Sequence, residues 1–345
     1  MRVAILGGGI AGVFTAKFLR ARGHEILGIG PRPNYPLASL VLTTSMPDPA
    51  DVSLALESLT IYREMTRLRE VTSVDILPEG LDVSFLSGLG VDYRLERDPA
   101  GVRLREGEVA LVTRDFLVPV RSLVNRLRRG LGFIGSAGAL VRDGDEVRAV
   151  VGGREVKADA VVLAAGAANS RVARAAGIAL PLAPYQCYVG TYLVPPGSWR
   201  LSIGDHVLGW YGRPLVFPLY AAGDGCSRPG EPPPPDYGAR VGSMVGARYG
   251  WAAHVATRSG LCEVGPGGGP IFGRHPEIEN LYVLGGLDGY GSMVGPALAR
   301  ALADLISGED PGLHEYRLER APLGEFDPCV LERHDWRRAL EALNP

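Results

Sequence analysis

The segment RVAILGGGIAGVFTAKFLRARG, Arg2–Gly23, decides the fold of this chain. It opens with a short apolar run, Val3–Leu6, of the kind that forms a buried parallel strand. Apolar residues then recur at helical spacing until a glycine ends the pattern; these are Val13, Ala16, Phe18, Leu19 and Gly23. A second apolar run, Ile26–Ile29, follows directly. The pattern therefore predicts a βαβ unit at the start of the chain.

Three glycines between the first strand and the helix match the G-x-G-x-x-G pattern of dinucleotide-binding turns. Gly7 permits the tight turn, Gly9 lets the backbone approach a pyrophosphate, and Gly12 lets the helix pack closely on the strand. The N-terminus of the helix adds N–H groups and a positive dipole that suit phosphates. The motif, in this position between strand and helix, predicts a dinucleotide site.

The second strand departs from this pattern where the ribose would lie. Such a strand usually ends on an Asp or Glu that hydrogen-bonds the ribose, but here it ends on Gly30, followed by Pro31 and Arg32. One interpretation keeps the site and gives the ribose to backbone N–H groups near Gly30 or to the Arg32 guanidinium. The other has Arg32 bind a 2′-phosphate, as in NADP sites. The βαβ unit alone leaves both open.

The composition sets limits on the class of protein. The chain has 345 residues, 46% of them hydrophobic and 21% charged, and a formal net charge of −2. These values are typical of a globular protein of one large or two ordinary domains. The chain has no excess of positive charge, so nucleic acid is not expected as a partner. We find no apolar run of about 18 residues and no signal-peptide pattern, so we expect no membrane span and a cytoplasmic location. The four cysteines form no CxxC pair and the six histidines no ligand spacing, so no metal site is predicted.

The middle of the chain changes character. From Pro184 to Tyr220 it consists of short runs rich in Tyr and Val, which predict an antiparallel sheet. A hairpin and a buried strand, Ala160–Leu163, precede this region, and a strand, a Gly-rich turn and a helix follow it. We predict an α/β fold of two domains, in which a Rossmann-like domain is assembled from discontinuous segments and an antiparallel β-sheet substrate domain is inserted. The predicted bounds are 1–78, 113–183 and 256–310 for the first domain, 79–112 and 184–255 for the second, and 311–345 for a tail with a short helix.

Three segments resemble the D-amino-acid oxidase, glycine oxidase and sarcosine oxidase family of FAD-dependent oxidoreductases. They are VAILGGGIAGVFTAKFLRARGHEI, ADAVVLAAGAANSRVARAAGIALPLAP and GGPIFGRHPEIENLYVLGGLDGYGSMVGPALARALADLI. Their order and spacing, from Arg2 to about Gly308, make the likeness specific. The resemblance implies non-covalent FAD and favours the first interpretation of the ribose site. The cofactor-binding residues that it implies include Gly7, Gly9, Ile10, Ala11, Gly12, Gly30, Pro31, Arg32, Ala38, Ser39, Ala165 and Gly166.

The resemblance gives the last Gly-rich turn a physical role. Its residues are Gly289, Tyr290, Gly291, Ser292 and Met293. With the other two segments present, these residues are expected to direct backbone N–H groups and a helix N-terminus at the N1/O2 edge of the flavin; the alternative is an ordinary Gly-rich helix cap. Reduced flavin gathers negative charge there, so the fixed dipole stabilises it by roughly 0.5–2 kcal/mol.

One departure from the family concerns the substrate. Family members that oxidise amino acids bind the substrate carboxylate with an Arg in a stretch similar to Gly-Leu-Arg-Pro. The matching stretch here is GLCEVGPGGGP, which places Cys262 at the Arg position. Either the substrate has no carboxylate there, or Arg258 or Arg213 replaces the missing residue. Sarcosine oxidases attach flavin covalently through a Cys in this region, so attachment through Cys262 is a further alternative to a simple packing role.

The resemblance implies removal of a hydride from the carbon that bears an amine, with transfer to flavin N5 and formation of an imine. Tyr211, Tyr220 and Trp210, in the segment GWYGRPLVFPLY, are candidates to line the pocket, with Arg213 and Arg258 as candidates to bind the substrate. The electron acceptor is oxygen, a quinone or a partner subunit. Some relatives use a Lys near the flavin with oxygen, and the absence of any Lys after Lys157 slightly favours a dehydrogenase.

Two other functions fit the same residues. One is a related flavoprotein dehydrogenase that oxidises a hydroxy acid or another C–H donor, which the missing Arg would suit. The other is a flavin-carrying subunit that is active only in a complex, with the tail after residue 310 as an assembly surface. A homo- or hetero-oligomer fits each of the three functions.

Overall fold

The first sheet forms the Rossmann-like part of the molecule. The computed structural model describes residues 1–33, the backbone of 39–41, and residues 46–322 and 326–329. Five strands form this sheet: β1 (Arg2–Leu6), β2 (Glu25–Ile29), β10 (Ala160–Leu163), β16 (Ile271–Arg274) and β17 (Leu281–Gly285). Their order is β16-β17-β10-β1-β2, and every neighbouring pair is parallel except β16 and β17. The predicted βαβ unit and the buried strand at Ala160–Leu163 are confirmed.

Helices cover one face of this sheet, and a small three-stranded sheet covers the other. The helices are α1 (Ile10–Ala21), α2 (Pro49–Met65), α4 (Val120–Leu131) and α7 (Gly291–Ile306). The other layer contains β7 (Gly138–Asp143), β8 (Glu146–Val151), β9 (Arg154–Val156) and α5 (Asn169–Ala175). Val3 and Ile5 pack on the helices, whereas Ala4 and Leu6 pack on the second layer. Since β1 is buried on both faces, its sequence is continuously apolar rather than alternating.

The second sheet has nine strands within the described residues. They are β3 (Ser39–Val41), β4 (Arg69–Pro78), β5 (Tyr93–Glu96), β6 (Glu108–Val118), β11 (Ala183–Leu193), β12 (Leu201–Asp205), β13 (Trp210–Pro214), β14 (Leu219–Ser227) and β15 (Ala253–Val264). The order is β15-β11-β14-β13-β12-β4-β6-β3, and β5 pairs with β6. All pairs are antiparallel except β12 with β4. The predicted antiparallel sheet is therefore confirmed. Two helices complete the description, α3 (Phe85–Gly88) and α6 (Tyr237–Tyr249).

The two faces of the nine-stranded sheet have different roles. Tyr211 opposes Gly223, Gly223 opposes Val189, and Val189 opposes Arg258 in neighbouring strands. Directly opposed residues share a face, and we call this one the pocket face. The alternate residues form the other face, which packs under α6; they include Tyr188, Tyr192, Trp210, Tyr220 and Ile203. Because α6 covers the other face, the pocket face is the one that lies toward the Rossmann-like part.

A buried ion-pair network fixes α6 to the sheet. Arg248 of α6 is only 1% exposed. Its guanidinium lies 2.5 Å from Glu108 Oε2 and 2.6 Å from Asp205 Oδ2. Asp205 also accepts a hydrogen bond from Trp210 Nε1 at 3.0 Å. Both carboxylates pair with the buried guanidinium, and the network sets the position of the helix.

The predicted domain boundaries do not coincide with the two sheets. Three stretches that the sequence predicts in the Rossmann-like domain pair within the nine-stranded sheet instead. They are strand β4, the second half of β6 and residues 256–264. The sequence pattern of a single strand does not reveal which sheet the strand joins, because that depends on its pairing partners elsewhere in the chain. In the tail, a disulfide joins Cys226 of β14 to Cys329. The predicted tail helix lies outside the described residues. In the part of the chain that the structure describes, no helix is long and apolar enough to span a membrane.

Candidate active site

The first predicted turn is built by glycines that leave no room for a side chain. Gly7 has φ +145°, and a Cβ added there would lie 1.9 Å from the carbonyl oxygen of Ala164. A Cβ on Gly12 would lie 2.1 Å from the carbonyl oxygen of Gly7. Gly9 precedes α1, no side chain caps that helix, and its first turn, which includes Ile10 and Ala11, has no acidic residue. These features suit the close approach of a pyrophosphate to the helix N-terminus.

Gly30 is required by the packing of the two turns. A Cβ on Gly30 would lie only 2.4 Å from the backbone nitrogen of Gly8, so an Asp or Glu does not fit this backbone. Arg128 of α4 is buried and joins the turns, because Nη1 donates to Gly8 O at 2.9 Å and Nη2 donates to Gly30 O at 2.7 Å. Pro31 and Arg32 are exposed just beyond β2. The missing ribose carboxylate is thus a consequence of how this chain closes its turn.

The closing turn meets the start of α1. Gly289 has φ +75°, and α7 begins at Gly291 with no side-chain cap and no acidic residue in its first turn. A Cβ on Gly291 would lie 3.7 Å from Ile10 Cγ2, so the N-termini of α1 and α7 are neighbours. Met293 packs against the apolar pair Val71 and Leu117 of the nine-stranded sheet. Tyr290 is buried, and Ser292 accepts a hydrogen bond on its carbonyl from Tyr62 Oη. The first and third predicted segments therefore converge.

A buried carboxyl group connects the middle turn to the closing turn. Asn169 accepts a hydrogen bond from the Ala165 backbone at 2.6 Å and donates one to Glu263 Oε2 at 2.9 Å. The backbone N–H of Gly286 donates to the same oxygen at 3.2 Å. Gly166, with φ +59°, follows Ala165 in this turn. Glu263 thus holds the second and third Gly-rich segments together.

The protonation of Glu263 predicts a pH dependence of stability. Burial raises the pKa of this carboxyl from 4.5 to about 8, and its partners in the described part of the chain are an amide and backbone N–H groups, none of them charged. The folded state therefore holds a proton that the unfolded chain releases above about pH 4.5, so this group should lower the stability progressively from about pH 5 to 8. Glu263→Gln is expected to remove a loss on the order of 4 kcal/mol over that range.

The measurement is the free energy of unfolding at several pH values between 5 and 8. The matched control is Glu146→Gln, at an exposed carboxyl on β8, which should leave the pH profile of the parent unchanged. Parallel profiles for the parent and Glu263→Gln would contradict the prediction.

The pocket face carries a half-buried arginine, Arg213. Arg213 is half-buried, and its Nη1 makes no hydrogen bond with any described residue. Burial lowers the pKa of its guanidinium. Arg213 lines a cavity of about 290 Å³ together with Arg67, Arg69 and Leu117. Leu117 belongs to the apolar pair against which Met293 of the closing turn packs. The cavity therefore combines positive charge with an apolar wall and adjoins the converging Gly-rich turns.

The pocket face also holds Tyr211 and meets the closing turn at a second point. Tyr211 is 51% exposed and lies across Gly223, where an added Cβ would be 3.3 Å from its Oη. Tyr185 of β11 donates a hydrogen bond to Asp288, just before the closing turn. Burial raises the pKa of Asp288 to about 6, and the Tyr185 hydrogen bond opposes this shift. The nine-stranded sheet therefore contacts the closing turn at Met293 and, just before the turn, at Asp288.

The structure corrects two predicted pocket residues, Tyr220 and Trp210, and gives the two candidate arginines different environments. Tyr220 lies on the α6 face, fully buried, and its Oη bonds to Leu201 O and Tyr249 Oη, so it does not line the pocket. Trp210 lies on that face too. Arg258 shares the pocket face with Arg213 but is exposed on the edge strand β15. Ala38, and the side chain of Ser39, lie outside the described residues.

Sequence reasoning missed the residues that fix the turns. Arg128 lies one helical turn after Val124 and about one before Leu131, all on the buried face of α4. An arginine at such spacing within an apolar stripe is a signal that the sequence contained. Glu263 and Asp288 gave no such signal, because each depends on partners from distant segments.

The fold and the site define a dinucleotide-binding oxidoreductase of two parts, and the described residues fit FAD: three Gly-rich turns and two helix N-termini without a side-chain cap converge on one region. The family model for FAD dependent oxidoreductases, named DAO, matches residues 2–305. The chain belongs to this family.

Particular relatives support the assignment. The chain is 28% identical over 182 residues to glycine oxidase from Pseudomonas aeruginosa, and this match spans 50% of the chain and 48% of that protein, so about half of the curated relative is covered. Glycine oxidase from Geobacillus kaustophilus has a similar structure, with a TM-score of 0.77, 20% identity and coverage of 93% of this chain and 99% of that one. L-proline dehydrogenase from P. horikoshii gives a TM-score of 0.77, 18% identity and coverage of 96% and 98%. The structural likeness confirms the predicted fold.

Proposed function

We propose that the protein is an FAD-dependent oxidoreductase that oxidises an amine or amino acid to an imine. The observation that carries the proposal is the position of Arg213, a half-buried guanidinium whose Nη1 has no partner among the described residues, in a cavity that Leu117 also lines. A carboxylate is the ligand that a guanidinium fork binds best, through two parallel hydrogen bonds. Relatives with a substrate in their names act on glycine, L-proline and iminodiacetate, and all three substrates carry a carboxylate.

On this basis we assign roles to residues of this chain. Arg213 binds the substrate carboxylate and thereby replaces the family arginine that Cys262 displaces. Tyr211 and the apolar wall at Leu117 bound the pocket and exclude water from the reacting carbon. The N-termini of α1 and α7 place positive dipole where phosphate and developing negative charge would lie. Bound FAD supplies the two-electron oxidation of the C–H bond.

Anaerobic reduction of the flavin tests the proposal directly. The purified protein, loaded with FAD, is mixed without oxygen with glycine, sarcosine, proline, D-amino acids and, separately, hydroxy acids. We expect bleaching of the oxidised flavin absorbance by at least one amine or amino acid, at a rate that rises with its concentration. Bleaching by hydroxy acids alone would replace the proposal with the hydroxy-acid dehydrogenase. No bleaching by any donor would support a flavin-carrying subunit that needs a partner.

The same reduced protein identifies the electron acceptor. Addition of oxygen, or of a quinone under argon, restores the flavin absorbance at a rate that ranks the two acceptors. The proposal favours the quinone or a partner subunit, because no lysine follows Lys157 in the sequence. Faster reoxidation by oxygen than by the quinone would make the protein an oxidase.

A further inference from the structure

Two free cysteines from distant parts of the chain are neighbours on the pocket face. Cys187 of β11 and Cys262 of β15 have Sγ atoms 3.0 Å apart. They are diagonal neighbours in the sheet, because Cys187 opposes Gly260 and Cys262 opposes Tyr185. Gly260 has no side chain between them; an added Cβ there would lie 3.6 Å from Cys187 Sγ. A disulfide, with sulfurs about 2.05 Å apart, therefore needs an approach of only about 1 Å.

The two thiols differ in reactivity. Either sulfur can donate the hydrogen bond between them. This bond lowers the pKa of Cys187 and, together with burial, raises the pKa of Cys262. Since the thiolate is the nucleophile in thiol chemistry, Cys187 is the better attacking group of the two. Both residues are partly exposed, and β15 is an edge strand, so a small reagent can reach them. An attacking thiol with a second thiol next to it is the arrangement that thiol–disulfide exchange requires.

The location connects this pair to the candidate active site. Cys262 directly precedes Glu263, whose carbonyl accepts a hydrogen bond from the Asp288 backbone at 2.9 Å. Tyr185, opposite Cys262, bonds to the Asp288 side chain. The other two cysteines are already joined to each other as Cys226–Cys329. The pair is therefore separate from the structural disulfide and lies beside the closing turn.

We propose that Cys187 and Cys262 form a redox-active dithiol that reacts reversibly with low-molecular-weight disulfides such as oxidised glutathione. The Cys187 thiolate attacks one sulfur of the small disulfide, which forms a mixed disulfide and releases one thiolate. Cys262 then loses its proton and attacks Cys187 Sγ, which closes the Cys187–Cys262 bond and releases the second thiol. The dithiol loses two electrons, and the small disulfide gains them. The reaction is independent of substrate oxidation by the flavin.

The test follows the sulfur chemistry by mass spectrometry. The full chain with its FAD is equilibrated in buffers of increasing ratio of oxidised to reduced glutathione, quenched in acid, alkylated and digested. We expect a cross-linked Cys187–Cys262 peptide whose amount rises with the ratio and disappears on return to reduced glutathione. In the reduced protein, brief alkylation at neutral pH should label Cys187 at least about 10-fold faster than Cys262, as their different thiolate fractions require.

Single serine variants separate the two roles. Cys262→Ser keeps the attacking thiolate and should stop at a stable glutathione adduct on Cys187. Cys187→Ser should leave Cys262 almost unmodified under the same conditions. The Cys226→Ser/Cys329→Ser variant is the matched control and should still form the Cys187–Cys262 bond.

Three results would overturn the proposal. They are equal adducts on both cysteines of the parent without a cross-link, equal reactivity of the two single variants, or no reaction in the parent. If a serine variant does not fold, the alkylation rates and cross-linked peptide of the parent still decide the question. Because no step is read from enzyme activity, failure here is distinguishable from failure of the proposed function.

Discussion

Replacement of Gly7 by alanine is expected to abolish FAD binding and to destabilise the Rossmann-like part. The new Cβ would lie 1.9 Å from the carbonyl oxygen of Ala164, and φ is +145°, where alanine is strained. The backbone cannot move away, because Leu6 and Leu163 are paired partners in β1 and β10. We expect a loss of about 3 kcal/mol in stability and at least about 100-fold in FAD affinity.

Thermal unfolding and titration with FAD, followed by flavin fluorescence, measure both effects. The matched control is Gly130→Ala in α4, because no atom lies within 4 Å of a Cβ built there and its φ is not in the left-handed region. This control should bind FAD like the parent and be at least as stable. A Gly7→Ala protein with the affinity and melting temperature of the parent would show that the turn does not hold the dinucleotide.

Replacement of Arg213 by methionine is expected to lower kcat/KM for a carboxylate-bearing substrate by about 100-fold. The variant removes a charge-assisted pair that contributes about 3 kcal/mol. Arg213→Lys should recover only part of this loss, because an ammonium lacks the planar fork. The free protein should be no less stable than the parent, since the variant removes a half-buried guanidinium whose Nη1 has no partner among the described residues.

Two controls test whether the loss of activity comes from the lost contact between Arg213 and the substrate carboxylate. Arg258→Met removes the other candidate, an exposed arginine on the same face, and should change kcat/KM by no more than roughly twofold. An amine substrate without a carboxylate should be oxidised by Arg213→Met as well as by the parent. A larger effect at Arg258, or an equal loss with both kinds of substrate, would contradict the assignment of Arg213.

The cofactor turns were predictable because their information is local. Gly7, Gly9 and Gly12 lie within six consecutive residues. The strand before them and the helix after them are each predicted by their own hydrophobic pattern. The order of the three Gly-rich segments then identified the family, which the family model over residues 2–305 confirms. The residues that hold the cofactor remain a prediction, which the Gly7 variant tests.

The pocket was less predictable because it depends on register between strands. Tyr211 and Tyr220 are close in sequence and were both expected in the pocket. Since Tyr211 opposes Gly223, three residues after Tyr220, the two side chains have opposite parity and lie on opposite faces. The sequence contained no signal for this register, which is set by the hairpin between the strands.

By itself, the sequence determined the nucleotide-binding class, the split Rossmann-like domain and the antiparallel sheet, because hydrophobic period and glycine spacing are properties of short segments. The tertiary structure alone decided that Arg128 occupies the space between Gly8 and Gly30, that Glu263 joins two turns, and that Cys187 meets Cys262. The contacts of Arg128 with the two glycines, of Glu263 with Asn169 and of Cys187 with Cys262 join residues at least 75 positions apart. Such pairs form only when the strands and helices that carry them have packed, and no pattern along the chain records which partner each side chain will meet.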